Sequence, residues 1–490
     1  MKKITLISYV LLAGCLLLTG GCKDDALNSE AEIIISFKVT NEAGKVYNGV
    51  IGSDNTITLK VSPYLDAAVE LAAATPSFFL SRGATVTPDP SEVQDFAQAG
   101  GVKYTVTAED GSTKREYTVT WGISDKLPAG SGFSYAEIGT KKSFPELGYP
   151  GMVQGYDHGY SPIEYGDLMM YHAYCGNYIV LLSRAYVFAN PASPHCIKVV
   201  DKTTLASAGV SLNLGSITIA NLKMISSDYK GHCVGVVVSG SSTEFFYWTT
   251  PTAAPVSVGS IGVNMAPFST ESDMSSNFQV AGDITANAWI TAYAAHNPNG
   301  EHYRIKVTGG QLASNYSTVR TGYSSGDCTW FQMISPLDDS DSPNFVIGDT
   351  EGSGNTANSI KGYVNSYAGS TIAVMPGLWQ NILQAWWVGT GFATARTGGH
   401  RPVVSGMVIN GKSYIAVTSG SAWWHAAAVL ESDMKTLAHE NLNITAGSIS
   451  CGWSYGSWAD WYWDEEESAG YLAFWFGRLG LYTYKLTCYE

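Results

Sequence analysis

Over residues 133–490 no stretch carries a convincing helical period of apolar residues; a unit of strand followed by polar turn recurs instead. It first shows at Ile197-Lys198-Val199-Val200-Asp201-Lys202-Thr203-Thr204-Leu205, with a further strand expected at Gly209-Val210-Ser211-Leu212. Tyr247-Trp248-Thr249-Thr250 followed by Ala254-Pro255-Val256-Ser257-Val258 has the same shape. So do Tyr303-Arg304-Ile305-Lys306-Val307-Thr308, Ile360-Lys361-Gly362-Tyr363-Val364, Ala428-Val429-Leu430-Glu431-Ser432-Asp433 and Leu481-Tyr482-Thr483-Tyr484-Lys485-Leu486. Successive copies lie roughly 50–60 residues apart, and each follows another apolar strand, such as Ile179-Val180-Leu181-Leu182 or His232-Cys233-Val234-Gly235-Val236-Val237. About four short strands at that interval are what a β-propeller blade requires, so the repeat predicts about six blades. A strand at residues 133–138 is placed to close the ring by joining the last blade, which removes an unpaired sheet edge. A β-helix and paired sandwiches are the other all-β solutions, and uneven unit length with aromatic, Gly-rich loops weighs against the β-helix.

Composition points the same way. Only 14 % of the 490 residues are charged, whereas glycine (52 residues) and aromatics (12 %) are plentiful. Many short strands and tight turns use such residues, while helices need long charged side chains on their wet faces. With 28 basic against 42 acidic residues and a net charge of −14, the chain is a poor partner for nucleic acid or anionic lipid.

Ahead of the repeat, residues 31–123 alternate apolar and polar positions, as in Ile33-Ile34-Ile35-Ser36-Phe37-Lys38-Val39 and Thr56-Ile57-Thr58-Leu59-Lys60-Val61. The clearest piece is Tyr104-Thr105-Val106-Thr107-Ala108, then Glu109-Asp110-Gly111-Ser112, then Tyr117-Thr118-Val119-Thr120-Trp121. Asp-Gly between two alternating arms predicts a hairpin. This segment reads as a small antiparallel β-sandwich. It resembles the immunoglobulin-like first domains of Bacteroidetes surface lipoproteins, a resemblance carried by the Tyr-Thr-Val-Thr-Ala-Glu-Asp-Gly-Ser-Thr run; such a domain is usually a spacer. Residues 124–132, rich in Gly, Pro and Ser, have linker composition and lead into the propeller-like domain at 133–490.

The chain begins Met1-Lys2-Lys3, then runs almost wholly apolar to Leu18, with Thr19-Gly20-Gly21 before Cys22 and Lys23-Asp24-Asp25 after it. Residues 1–21 read as a secretory leader and 22–30 as a polar tether. The small residues before Cys22 resemble a bacterial lipoprotein box, in which the thiol is lipidated, and the acidic residues after it resemble the export signals of Bacteroidetes surface lipoproteins. Leu12-Ala13-Gly14-Cys15 is an alternative box, and a leader without lipid a third reading. The first reading implies an outer-membrane protein held by acyl chains and facing the cell exterior. Six further cysteines, Cys175, Cys196, Cys233, Cys328, Cys451 and Cys488, lack any Cys-x-x-Cys spacing. They read either as one to three disulfides or as small buried hydrophobes.

Tryptophan supplies the candidate working surface. Ten of fourteen lie in the last quarter, with adjacent pairs at Trp386-Trp387 and Trp423-Trp424. Neighbours in a strand point to opposite faces, so only one of each pair can be core. Trp453, Trp458, Trp461 and Trp463 fall in a Ser- and Gly-rich run, and His425 follows Trp424. Indole faces stack on sugar C–H faces, so Trp386, Trp387, Trp423, Trp424, His425, Trp453, Trp458, Trp461 and Trp463 are the candidate ligand-binding residues; packing between blades is the competing role for each.

Other motifs carry less. Asp464-Glu465-Glu466-Glu467 with Asp460 is the only dense carboxylate cluster, and it precedes Ser468-Ala469-Gly470, where a solvated turn is expected rather than a glycosidase pair. Gly-x-Ser-x-Gly at residues 322–326 and 452–456 lacks the helix that a nucleophile elbow needs. Asp338-Asp339-Ser340-Asp341 has Pro343 where a calcium ligand belongs. Nine dispersed histidines show no metal-binding spacing. No catalytic residue, metal or cofactor is assigned.

Taken over its full length, the chain resembles Bacteroidetes surface lipoproteins that accompany glycan-uptake machinery of the starch-utilisation type. That resemblance implies a non-catalytic glycan-binding lipoprotein, with a polysaccharide or oligosaccharide ligand and outer-membrane uptake proteins as neighbours. A glycoside hydrolase or lyase with carboxylates from separate blades, and a protein-binding scaffold of an outer-membrane complex, are the alternatives.

Overall fold

Alternation becomes structure first in the N-terminal unit. The computed structural model describes residues 27–489, apart from 32, 64, 144, 150–169, 184–192, 266–277, 294–300, 321–332, 352–358, 376–400, 421–424, 439–442, 447–456 and 477–479. Strands β1 (Ile33–Asn41), β2 (Val46–Ile51), β3 (Thr56–Val61), β4 (Ala74–Leu80), β5 (Thr85–Thr87), β6 (Val102–Thr107) and β7 (Lys114–Ile123) join in the order β4-β1-β2-β3-β7-β6-β5. All neighbours are antiparallel except β3 and β7, which run parallel. The alternating residues Phe37, Val39, Ile57, Leu59, Val61, Tyr104, Val106, Tyr117 and Val119 all point into one core. Phe78 sits edge-on to both Phe37 and Tyr104, at 5.1 and 4.8 Å between ring centroids. The predicted hairpin is β6–β7. Its turn is held by Asp110, whose carboxylate accepts from Ser112 N, Thr113 N and Thr113 Oγ1, while Gly111 takes the left-handed φ of +70°.

The chain divides into two compact units, Met1–Lys126 with Tyr489–Glu490, and Leu127–Cys488. The second opens with β8 (Ser134–Lys142) and continues as five successive sheets. Blade 1 is β9 (Met170–Cys175), β10 (Tyr178–Ser183) and β11 (Ile197–Asp201). Blade 2 is β12 (Leu222–Ser227), β13 (Cys233–Ser239), β14 (Ser242–Trp248) and β15 (Val256–Ile261). Blade 3 is β16 (Phe278–Gly282), β17 (Asn287–Tyr293), β18 (Glu301–Thr308), β19 (Gln311–Leu312) and β20 (Ser317–Arg320). Blade 4 is β21 (Met333–Pro336), β22 (Phe345–Glu351), β23 (Ser359–Asn365) and β24 (Thr371–Val374). Blade 5 is β25 (Arg401–Ile409), β26 (Lys412–Gly420), β27 (His425–Glu431) and β28 (Asn443–Ala446). The sixth sheet is β29 (Ser457–Asp464), β30 (Ala469–Phe476), β31 (Gly480–Thr487) and, returning from the start of the unit, β8.

The first strands of the six sheets touch in a closed ring, β9 to β12, β16, β21, β25, β29 and back to β9. This is a six-bladed β-propeller, and β8 paired to β31 from Ser134↔Thr487 to Lys142↔Leu481 is its closure. The predicted repeat is recognisable: its six segments lie in the third strands of the six blades, β11, β14, β18, β23, β27 and β31. The expected strand at 209–212 is absent. There blade 1 has only a single bridge, Val200 to Ser207, because the backbone turns back at Leu205 (φ 55°) and leaves again at Gly209 (φ 67°).

Close approach of inner strands explains one glycine. A Cβ at Gly406 of β25 would overlap the Pro336 carbonyl at the end of β21, so only glycine lets blades 4 and 5 meet there. Cys175, Cys196, Cys233 and Cys488 are buried, as the small-hydrophobe alternative expects; Cys328 and Cys451 lie outside the described residues. Among the described residues no helix is long and apolar enough to cross a membrane.

Candidate functional site

The two ends of the propeller differ. At one end, strands join through tight turns, after Cys175, Ser227, Gly282, Ile409 and Asp464. These turns lie together: Gly176 N donates to Gly231 O at 2.9 Å, and Lys230 Nζ to Glu465 at 2.5 Å. At the other end lie the strand ends that flank the connections between blades, with the two-residue turn after Ser239 in blade 2. In blade 5 the register sets Arg401, Gly420, His425 and Ala446 level in one row. In blade 6 Ser457, Phe476 and Gly480 form the corresponding row.

Contacts cross the ring at the turn end. Tyr229 N donates to Gly282 O (2.9 Å) in blade 3, and Tyr229 O accepts from Trp463 N (3.0 Å) in blade 6, on opposite sides of the ring. Its ring packs 4.5 Å from that of Trp461, which is 2 % exposed and donates Nε1 to Gly406 O in blade 5 at 2.6 Å. Beside it Asp460 accepts from Ser227 N (2.7 Å), Ser227 Oγ (2.6 Å) and Ser226 Oγ (3.3 Å), while Ser227 Oγ also accepts from Tyr174 N (2.7 Å). This network ties blades 6, 2 and 1. Burial raises the Asp460 carboxyl to about 7, against the opposing pull of its Ser227 donors. At the seam of blades 1 and 6, buried Lys202 donates to Tyr462 Oη at 2.5 Å and lies 4.2 Å from the Tyr471 ring centroid.

The candidate tryptophans divide accordingly. Trp458 is fully buried, edge-on to Tyr171 of blade 1 at 4.9 Å, and Trp461 is buried against Tyr229; both do packing work. Trp463 is half-buried at the turn end of β29. His425 opens β27 in the row at the opposite end. Trp386, Trp387, Trp423, Trp424 and Trp453 lie outside the described residues. The segments carrying them, 376–400, 421–424 and 447–456, are flanked by Val374–Arg401, Gly420–His425 and Ala446–Ser457, strand ends of the end away from the tight turns.

The carboxylate run is a turn, as expected: Asp464 Oδ1 accepts Glu467 N at 3.0 Å, and Glu467 holds Lys485 (2.5 Å) and Tyr471 Oη (2.6 Å). Asp338 likewise caps its own turn through Ser340 N, and Asp341 pairs with Lys306. Both Gly-x-Ser-x-Gly segments lie outside the described residues. Sequence reading passed over one cluster: Asp228, His232 and Asp283 come together from two turns, with ligand-type atoms all within 4.8 Å of one another. The spacing Asp-x-x-x-His was the available signal, but the third member arrives from another blade.

The chain is therefore an all-β protein with an N-terminal sheet domain and a six-bladed propeller. Residues 34–121 match the model of the N-terminal domain of the surface glycan-binding proteins (SGBP, N-terminal). No curated protein sequence matches the chain. Among solved structures, a DUF4623 family protein from Bacteroides eggerthii is 16 % identical, with a TM-score of 0.43 over 94 % of this chain and 99 % of its own. An α-L-arabinanase from Cellvibrio cellulosa is 12 % identical at a TM-score of 0.27, covering 54 % of this chain and 90 % of its own. At these scores neither likeness carries a functional argument.

Proposed function

We propose that this protein is a non-catalytic glycan-binding lipoprotein of the cell surface, lipidated at Cys22 in the outer membrane. The observation that carries the reading is the match of residues 34–121 to the N-terminal domain of surface glycan-binding proteins. The ligand surface is assigned to the end of blades 5 and 6 away from the tight turns, with Trp386, Trp387, Trp423, Trp424, Trp453 and His425 as its residues. The contacts across the ring at the turn end support that choice, because they commit Tyr229 and Trp461 to packing there. Paired tryptophans provide flat apolar area of the kind that stacks on pyranose faces. The reading predicts saturable binding of the full chain to at least one member of a polysaccharide array, with the polysaccharide recovered unshortened. Cleavage of the bound glycan would replace it with the hydrolase alternative.

A further inference from the structure

We propose that Asp228, His232 and Asp283 form a binding site for a divalent transition metal of the zinc type, linking blade 2 to blade 3 at the turn end of the propeller. Asp228 and His232 bracket the turn between β12 and β13, and Asp283 begins the turn between β16 and β17. His232 Nδ1 lies 2.7 Å from Asp228 Oδ2 and 3.9 Å from Asp283 Oδ1. Around one tetrahedral zinc with bonds near 2.0–2.2 Å, ligand atoms stand roughly 3.4 Å apart. The first distance is shorter and the second longer than that spacing, so metal entry must part His232 Nδ1 from Asp228 Oδ2 by under about an ångström and draw in the Asp283 side chain, which is 30 % exposed.

The surroundings are those of a supported ligand set. Asp228 has a fully buried side chain and is fixed by backbone donors: Oδ1 accepts from Lys230 N (2.9 Å) and His232 N (2.8 Å), and Oδ2 from Ile284 N (2.9 Å). Such outer contacts orient a metal-binding carboxylate. Asp283 Oδ1 accepts from Thr285 N (2.8 Å) and Thr285 Oγ1 (2.6 Å). Lys230, the ammonium of this turn, is paired with Glu465 and leaves the two carboxylates to His232. One oxygen or nitrogen from each residue leaves a fourth position for water. The set of one imidazole and two carboxylates suits zinc better than calcium, which takes six to eight oxygens.

The test is titration of the chelator-stripped full chain with zinc alone, followed by calorimetry and by thermal unfolding. We expect one zinc per chain with a saturable rise in Tm, since a metal held only by the folded state stabilises it. Asp283→Asn, on a part-exposed turn, should fold normally and weaken zinc binding by about tenfold or more, and His232→Gln should abolish it. Binding that is absent, or equal in Asp283→Asn and the parent, would mean a structural His–Asp pair only and would overturn the site. Calcium binding in preference to zinc would overturn it too.

Discussion

Asp460 shows how a single side chain can be decisive and yet unreadable beforehand. In the sequence it belongs to an acidic run. In the structure it is a buried carboxylate whose partners are serines and backbone amides. Its folded pKa, about 7, stands above the ordinary 3.8, so the folded state holds the proton more tightly than the unfolded chain. The stability it contributes is complete below the ordinary value and is lost as pH rises towards and through about 7. Asp460→Asn keeps an acceptor for Ser227 and removes the titration. The variant should show a flatter Tm between pH 4 and 8 than the parent, with the largest relative gain at the alkaline end. A parent and variant with parallel Tm profiles would contradict this placement of the proton.

At the scale of elements, ring closure rests on β8. It is the outermost strand of blade 6 although it comes first in the unit, so removing it bares the edge of β31 along its length. A chain beginning at residue 143 should unfold several degrees lower and self-associate, read by calorimetry and light scattering. A cooperative monomer of unchanged Tm would show that β8 is dispensable. Closure was legible in advance because residues 133–138 had no other partner. So was the blade number, since the third strands are long and apolar enough to repeat visibly. The inner strands were not legible. Several are short, as in Met333–Pro336 and Leu222–Ser227, and inner-strand residues make contacts across the ring rather than follow a periodic pattern. Trp458 and Trp461 share this origin. Ser and Gly neighbours made their run look like a loop, whereas Trp458 and Trp461 lie in β29 and meet Tyr171 and Tyr229 from other blades. No local pattern encodes such contacts, nor the meeting of Asp228 and Asp283 across two blades.

For the whole molecule, the two propeller ends have different chemistry. The turn end is tied by Tyr229, Trp461, Asp460 and Asp228, each joining blades. The other end carries the strand ends that flank residues 376–400, 421–424 and 447–456. A glycan-binding surface there makes the functional residues separable from the structural ones, which is the central claim. Its direct measurement is glycan affinity by calorimetry for the parent, for Trp423→Ala/Trp424→Ala, and for the turn-end control Trp463→Ala. Losing an aromatic anchor at the centre of a binding surface costs about 2 kcal/mol or more, so the double variant should bind at least ~30-fold more weakly while the control binds like the parent. Equal affinity in the double variant, or loss confined to Trp463→Ala, would contradict the account.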